Sequence, residues 1–263
     1  MSNTLKVVQT QTVETVKRPV NLWRGFIAGA GAIVSKPWRR YRTDVFLGYM
    51  VISAATFLVL AGLARTVAYF TFDVKITRTV QGFNAAWFGP LMYALSWIGF
   101  APQAYVISVV VLLFLYASGL KWEAILGAAS VALSSLLGLA IKGLIDRQRP
   151  TANLVNVIFQ LQSYSFPSGH VLYFTVFFGF LLFLTYTLLR PSRGRTILLL
   201  TFTLMVMLIG LSRIYEGQHW ASDVFAAYML GSVWLGLSIV VYRWGKPRFF
   251  ADQPIAPETP DDD

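Results

Sequence analysis

The sequence predicts an all-α, polytopic membrane protein with six transmembrane helices and an interfacial helix between spans 1 and 2. Three observations predict it. The 263 residues are 56% hydrophobic and only 13% charged, whereas a soluble domain is about half apolar and about a quarter charged. Mean hydropathy is +0.59, and the apolar residues fall in runs that match the roughly 17 to 25 residues needed to cross a hydrocarbon core. Basic residues, finally, gather in alternate segments between those runs, the pattern of a positive-inside topology. A soluble enzyme, a secreted disulfide scaffold and a disordered chain are thereby excluded. The absence of cysteine removes disulfides, thiolate metal ligands and cysteine nucleophiles.

The elements follow in order. Residues 1–43 form a basic N-terminal segment, in which Val20 to Val34, with Trp23, Phe26 and Ile33, fits a short interfacial helix or a solvated stretch. The first apolar run, Val45 to Phe70, starts after more than forty residues and is too long for the core of a signal peptide. Thr71 to Trp97 mixes Lys75, Arg78, Gln81 and Asn84 with Phe83, Trp87, Phe88 and Tyr93. That mixture fits an amphipathic helix lying in the interface, and equally a partly ordered surface connection. The remaining spans are Ile98 to Leu120, Ala124 to Ile141, Val171 to Leu189, Thr196 to Leu211 and Val224 to Tyr242. The fifth is short unless Ser212 to Tyr215 extends it. The membrane domain thus occupies 44–245, and 246–263, with its prolines and terminal Asp261, Asp262 and Asp263, reads as a disordered cytoplasmic tail.

Charge placement orients the chain. Lys and Arg number 22 against 12 Asp and Glu, a net charge of +10. With both termini in the cytoplasm, 15 of the 22 basic residues fall on inner segments. The excess therefore reports topology in a plasma membrane, and a nucleic-acid partner loses its main support. Three polar clusters remain: Lys142 to Pro150 after span three, Ser165 to His170 before span four, and Ser212 to Asp223 between spans five and six. By parity all three lie on the extracytoplasmic side, where charge near membrane depth is usually functional.

Each cluster suggests chemistry. Lys142 and Arg149 are seven residues apart, nearly two helical turns, so the spacing predicts two cations on one side of the helix end; Pro150 disfavours a helical Arg149, so the helix ends there and leaves the guanidinium free to turn into a pocket, with Asp146 paired to Lys142. Two cations suit a phosphate. Pro167, Ser168, Gly169 and His170 start a helix, where backbone N–H groups and the Ser168 hydroxyl attract an anion and His170 can protonate a leaving oxygen. His219 and Asp223 have i, i+4 spacing, so a helix would let Asp223 orient the imidazole, and Arg213 adds a third cation. The chain's two histidines both lie in these clusters. Two histidines and an aspartate can imitate a zinc set, but Lys142, Arg149 and Arg213 repel a cation, so neither a metal nor another cofactor is expected.

With these residues the sequence resembles the type 2 phosphatidic acid phosphatase superfamily, whose pattern is K-x6-R-P, then P-S-G-H, then S-R-x5-H-x3-D. Lys142, Arg149 and Pro150 match the first element, Pro167 to His170 the second, and Ser212, Arg213, His219 and Asp223 the third. The resemblance implies metal-independent hydrolysis of a phosphomonoester or pyrophosphate through a phosphohistidine. It implies that His219 attacks phosphorus, Asp223 orients it and His170 protonates the departing oxygen, while Lys142, Arg149, Ser168, Gly169 and Arg213 hold the phosphate. A pocket at the interface suits a lipid substrate whose tails stay in the bilayer: an isoprenoid pyrophosphate, phosphatidate or phosphatidylglycerophosphate. Leu154 to Phe159 either covers such a site or packs on the membrane surface. A phosphotransferase using the same phosphohistidine, and a lipid-phosphate-binding or transport protein without activity, are the competing expectations. Oligomeric state is not written in the sequence.

Overall fold

The computed structural model describes the backbone of residues 22–250 and side chains from residue 43 onward. The expected basic start of the chain, the side chains of Val20 to Val34 and the acidic tail beyond residue 250 lie outside the described residues. Two compact units divide the chain, Met1–Leu47 and Gly48–Asp263, and the second holds the three polar clusters. Among the described residues there is helix and no strand: α1 (Leu22–Thr66), α2 (Thr71–Gln81), α3 (Phe88–Ile98), α4 (Ala101–Ala117), α5 (Lys121–Ile145), α6 (Gly169–Leu188), α7 (Arg193–Tyr215) and α8 (Ala221–Phe249).

Among the described residues five stretches are long and apolar enough to cross a membrane: Thr43–Thr66 and the whole of α5, α6, α7 and α8. The fifth apolar run is extended by Ser212 to Tyr215, which continue α7. The expected span from Ile98 to Leu120 corresponds to α4, Ala101–Ala117, which by itself falls short of spanning length. Helices α3 and α4 meet at a break bent by 64°, and only together do they reach spanning length. The cause is local. Gly99 caps α3, Phe100 takes an extended backbone conformation, and Pro102 occupies the first turn of α4, where a missing N–H costs nothing. Nor is Thr71 to Trp97 one interfacial helix, because Gly82 ends α2 and a short turn separates it from α3.

Helix α6 lies at the centre, packed against α5, α7 and α8. Val171, Phe174, Phe177 and Phe178 are buried there with Ile209 of α7 and Val224 and Ala227 of α8. Gly231 lets α8 approach so closely that a Cβ there would stand 2.8 Å from Thr175 of α6, the small-residue contact typical of membrane helices. Outward-facing positions are apolar as well: Tyr105, Val106, Leu113 and Phe114 on α4 are 62–68% exposed, a surface suited to lipid rather than water. At one end of the bundle Glu123 of α5 accepts from Lys246 at 2.7 Å and from Tyr242 at 2.9 Å, both on α8. The three polar clusters meet at the other.

Candidate active site

Lys142 occupies the last turn of α5, but the helix stops at Ile145. Asp146 takes the left-handed conformation (φ 45°) and its backbone N–H closes on the Lys142 carbonyl at 3.0 Å. Aspartate is one of the few non-glycine residues that tolerate this conformation. Two expectations are corrected here. The helix ends at Ile145 rather than at Arg149, and Asp146 serves as a helix cap rather than as the partner of Lys142. The cations converge all the same, because the loop carries Arg149 back. Lys142 Nζ donates to the Tyr164 carbonyl at 2.7 Å and the Ser165 carbonyl at 3.4 Å. Arg149 donates to the carbonyls of Ser163 (2.6 Å), Tyr164 (3.3 Å) and Gln218 (2.6 Å). Burial lowers the Arg149 guanidinium to about 10, so it remains a cation at neutral pH.

His219 is buried in the turn between α7 and α8, with Nε2 3.2 Å from Arg149 Nη1. The direct bond to Asp223 expected from i, i+4 spacing is absent, since Nδ1 and Oδ2 are 3.8 Å apart, too far for a hydrogen bond. The helix begins only at Ala221, and Asp223 is engaged in capping it, accepting from the Trp220 N–H at 3.0 Å. Ser165 fills the gap. Its hydroxyl donates to Asp223 Oδ2 at 2.5 Å and stands 3.4 Å from His219 Nδ1. With its one proton committed to the carboxylate, Ser165 can only accept from the ring. That places the proton on Nδ1 and the lone pair on Nε2, facing Arg149. Burial, then the charges of Arg149, Lys142 and Arg213, hold His219 well below the ordinary imidazole value of 6.5, which favours the neutral ring.

Behind Asp223 the network continues through residues that sequence reasoning missed. Arg147 Nη1 donates to Asp223 Oδ1 at 2.5 Å and to Ser222 Oγ at 2.8 Å, Nη2 meets Asp73 Oδ2 at 3.1 Å, and Nε donates to the Ala68 carbonyl at 3.0 Å. Asp73 also accepts from the Ser222 N–H at 2.8 Å and the Phe70 N–H at 3.0 Å. A signal for Asp73 existed, since it is the one acidic residue between Asp44 and Glu123.

The second half of the site differs. Ser168 is the N-cap of α6, yet its side chain makes no capping bond, and its buried Oγ has no partner. A Cβ on Gly169 would meet nothing within 4 Å, so the chain is open on that side at the start of α6. His170 packs edge-on to Phe100 (centroids 5.2 Å apart), and a Cβ at Gly99 would come within 2.3 Å of its Cδ2. Its Nε2 is buried without a partner. Arg213, fully buried, donates through Nη1 to Ser96 Oγ and, at 2.7 Å, to Glu216 Oε2, while Nε and Nη2 have no partner. Burial raises the Glu216 carboxyl above its usual range, and Arg213 and Ser96 oppose that rise.

The segment from Leu154 to Phe159 is tied to its neighbours. Gln81 Nε2 donates to the Asn156 carbonyl at 2.6 Å, Arg78 to the Leu154 carbonyl at 2.9 Å, and the Ile158 N–H to the Glu216 carbonyl at 3.1 Å. Gly217 (φ 65°) is required there, because a Cβ would stand 2.0 Å from the Asn156 carbonyl oxygen. Beside this segment a cavity of about 240 Å³, lined by Arg147, Arg149, Gln160 and Tyr164 among others, flanks Arg149.

Residues 122–247 match the family model described as the PAP2 superfamily. Over this stretch, a little under half of its length, the chain is similar to that superfamily. Phosphatidylglycerophosphatase B of Bacillus subtilis is 26% identical over 181 residues, 66% of this chain and 85% of the relative. An undecaprenyl-diphosphatase of Sulfolobus acidocaldarius is 29% identical over 187 residues, 66% of this chain and 80% of the relative. Two solved structures share the fold. The crystal structure of the transmembrane PAP2 type phosphatidylglycerolphosphate phosphatase from Bacillus subtilis has a TM-score of 0.66 at 24% identity, covering 76% of this chain and 98% of that one. Aquifex aeolicus LpxE has a TM-score of 0.52 at 22% identity, covering 65% and 96%. With its apolar helices, the protein is thus a multi-pass membrane protein that shares the fold of these structures. Its PAP2 stretch contains both histidines, the three cations and Asp223, whereas Asp73, Ser96 and Gly99, which brace them, lie before it.

Proposed function

We propose that this protein is an integral-membrane lipid phosphatase that hydrolyses a lipid phosphomonoester or pyrophosphate, without a metal, through a phosphohistidine on His219. One observation carries the reading. His219 Nε2 and Arg149 face each other at 3.2 Å, beside a set of buried donors, Ser168 Oγ and Arg213 Nε and Nη2, that have no partner. Buried polar groups are nearly always paired, so several orphan donors beside an available imidazole lone pair suit an anion.

The chemistry follows from the placement. Lys142, Arg149, Arg213, Ser168 and the Gly169 N–H hold the phosphate oxygens and stabilise the charge that spreads over them during transfer. His219 Nε2 forms a bond to phosphorus as the bond to the leaving oxygen breaks, and Asp223, through Ser165, keeps the other ring nitrogen protonated. His170 gives its proton to that oxygen, a bound phosphate dianion favouring its charged form. Water then attacks phosphorus, His170 takes back a proton, the P–N bond breaks and inorganic phosphate leaves. Two relatives named for a phosphatidylglycerophosphate and an undecaprenyl diphosphate support a lipid substrate, as does the apolar exterior of the helices.

In this reading α3 and α4 together make the second of six spans, α2 lies at the interface, and 44–245 is the catalytic domain. Both termini are cytoplasmic and the site opens extracytoplasmically in the plasma membrane. The test is phosphate release by the purified protein in detergent with EDTA, over a panel of isoprenoid pyrophosphates, phosphatidate and phosphatidylglycerophosphate, beside His219→Ala. Turnover that survives EDTA and disappears in the variant is expected. No release from any lipid, or an undiminished variant, sinks the proposal.

A further inference from the structure

Arg213 is held in an unusual way for a phosphate ligand: one end of its guanidinium is fully engaged and the other is bare. Nη1 is shared between Ser96 Oγ and Glu216 Oε2, the latter at 2.7 Å. Ser96 Oγ in turn donates to Glu216 Oε2 at 2.7 Å and lies 2.9 Å from Ser212 Oγ, which donates to the Met92 carbonyl at 2.7 Å. The Phe100 ring stacks against the guanidinium at 5.9 Å. Every one of these polar side chains is buried. The atoms left over, Nε and Nη2, share one edge of the planar guanidinium, the edge that grips two oxygens of a phosphate at once.

From this arrangement we infer that Glu216, with Ser96, is a positioning residue that fixes Arg213 by its far nitrogen and so presents the Nε/Nη2 edge to the substrate phosphate. The inference rests on the phosphatase reading above and adds a residue to it. The physical reason is twofold. A free arginine loses considerable rotamer entropy when it binds an anion, and an ordered one has already lost it before the anion arrives. A carboxylate on Nη1 also balances part of the charge that Arg213 adds to Lys142 and Arg149 in an empty, buried site. Glu216 gives the substrate nothing directly: its bonds are to Arg213 and Ser96. The Ser96 end of the clamp comes from α3, immediately before the break that brings Gly99 and Phe100 onto His170. One bent span thus braces both the third cation and the second histidine.

The experiment is a double-mutant cycle on the full-length protein in detergent, comparing wild type, Glu216→Ala, Arg213→Lys and the double variant. It reads the affinity for inorganic phosphate by calorimetry and kcat and KM on a hydrolysed lipid. Glu216→Ala is expected to weaken phosphate binding roughly tenfold and to raise KM and lower kcat. On the Arg213→Lys background the same change should add less than about threefold, because the edge it presents is already gone. Glu216→Gln, which still accepts from Nη1 and Ser96, should restore most of the phosphate affinity, a rescue that loss of packing alone does not give. Equal losses from Glu216→Ala on both backgrounds, or a Gln variant no better than Ala, overturns the clamp while leaving the phosphatase intact. If no lipid is hydrolysed, the phosphatase reading fails and the phosphate-binding arm of the cycle still decides the clamp.

Discussion

The two histidines stand in opposite kinds of surroundings. Beneath His219 the polar network is closed: Ser165, Asp223, Arg147, Ser222 and Asp73 satisfy one another, and the Ala68 carbonyl and the Trp220 and Phe70 amides complete it. Around His170 the network is open, with Ser168 Oγ, His170 Nε2 and two nitrogens of Arg213 buried and unpartnered. A satisfied buried network contributes order and costs stability when broken. Unsatisfied buried donors cost stability as they stand, and a site that tolerates them keeps them for a ligand. The first region is framework for the nucleophile, and the second is the mould of the phosphate.

Breaking the closed side should show first in stability. Arg147→Leu leaves two carboxylates, Asp73 and Asp223, buried without their shared cation, and removing one partner of a buried ion pair costs about 3 to 5 kcal/mol. The expected outcome is a clearly lower melting temperature in detergent together with lost activity. An unchanged melting temperature would mean that the network is not the framework described. The open side responds differently. Gly99→Ala places a Cβ 2.3 Å from His170 Cδ2 and 3.0 Å from Phe174 Cε2, so the imidazole must shift, and a displacement near 1 Å costs roughly a hundredfold in kcat. Ser168→Ala, lastly, removes a hydroxyl that is bonded to nothing in the empty site. Its melting temperature should stay within about 0.5 kcal/mol of stability, while kcat/KM falls roughly ten- to a hundredfold from the loss of one hydrogen bond to a charged group. A Ser168 variant that is less stable but fully active would reverse the contrast.

How much of this was legible in the sequence follows the same divide. The open side was readable: Ser168, His170 and Arg213 are polar residues at span ends in an apolar chain, and the structure brings them to the same end of the bundle as Lys142 and Arg149. The closed side was half hidden. Ser165 and Arg147 lay inside the clusters, yet nothing in their spacing distinguishes a serine that bridges His219 to Asp223 from one that turns a chain. Asp73 comes from a segment of mixed polarity 149 residues before its partner Ser222, and long-range pairing leaves no periodic trace. Of the spans, Lys121–Ile145, Gly169–Leu188, Arg193–Tyr215 and Ala221–Phe249 were visible as apolar runs. The bent pair was not, because Gly99 and Pro102 break a run whose hydropathy is continuous across them.

The pH dependence sharpens the comparison where effects are smallest. His219 must be neutral to attack, and burial followed by the charges of Arg149, Lys142 and Arg213 keeps it well below 6.5. The acid limb of kcat/KM, which reports the free enzyme's base, should therefore fall below pH 6.5. Lys142→Gln removes one of the opposing cations and should move that limb upward by a fraction of a unit, whatever it does to the absolute rate. The same shift bears on folding. A depressed imidazole binds its proton less readily in the folded chain than in the unfolded one, so stability declines as pH falls through about 6.5, by at most about 1.4 kcal/mol per pH unit. Glu216 contributes with the opposite sign: burial raises its carboxyl, so it adds stability as pH falls through its folded value. Melting temperatures from pH 7.5 to 5.5, measured without phosphate, should fall more steeply for the wild type than for His219→Ala. Parallel curves would show that the imidazole is not suppressed by its cations, and that the cations do not face it in the empty site.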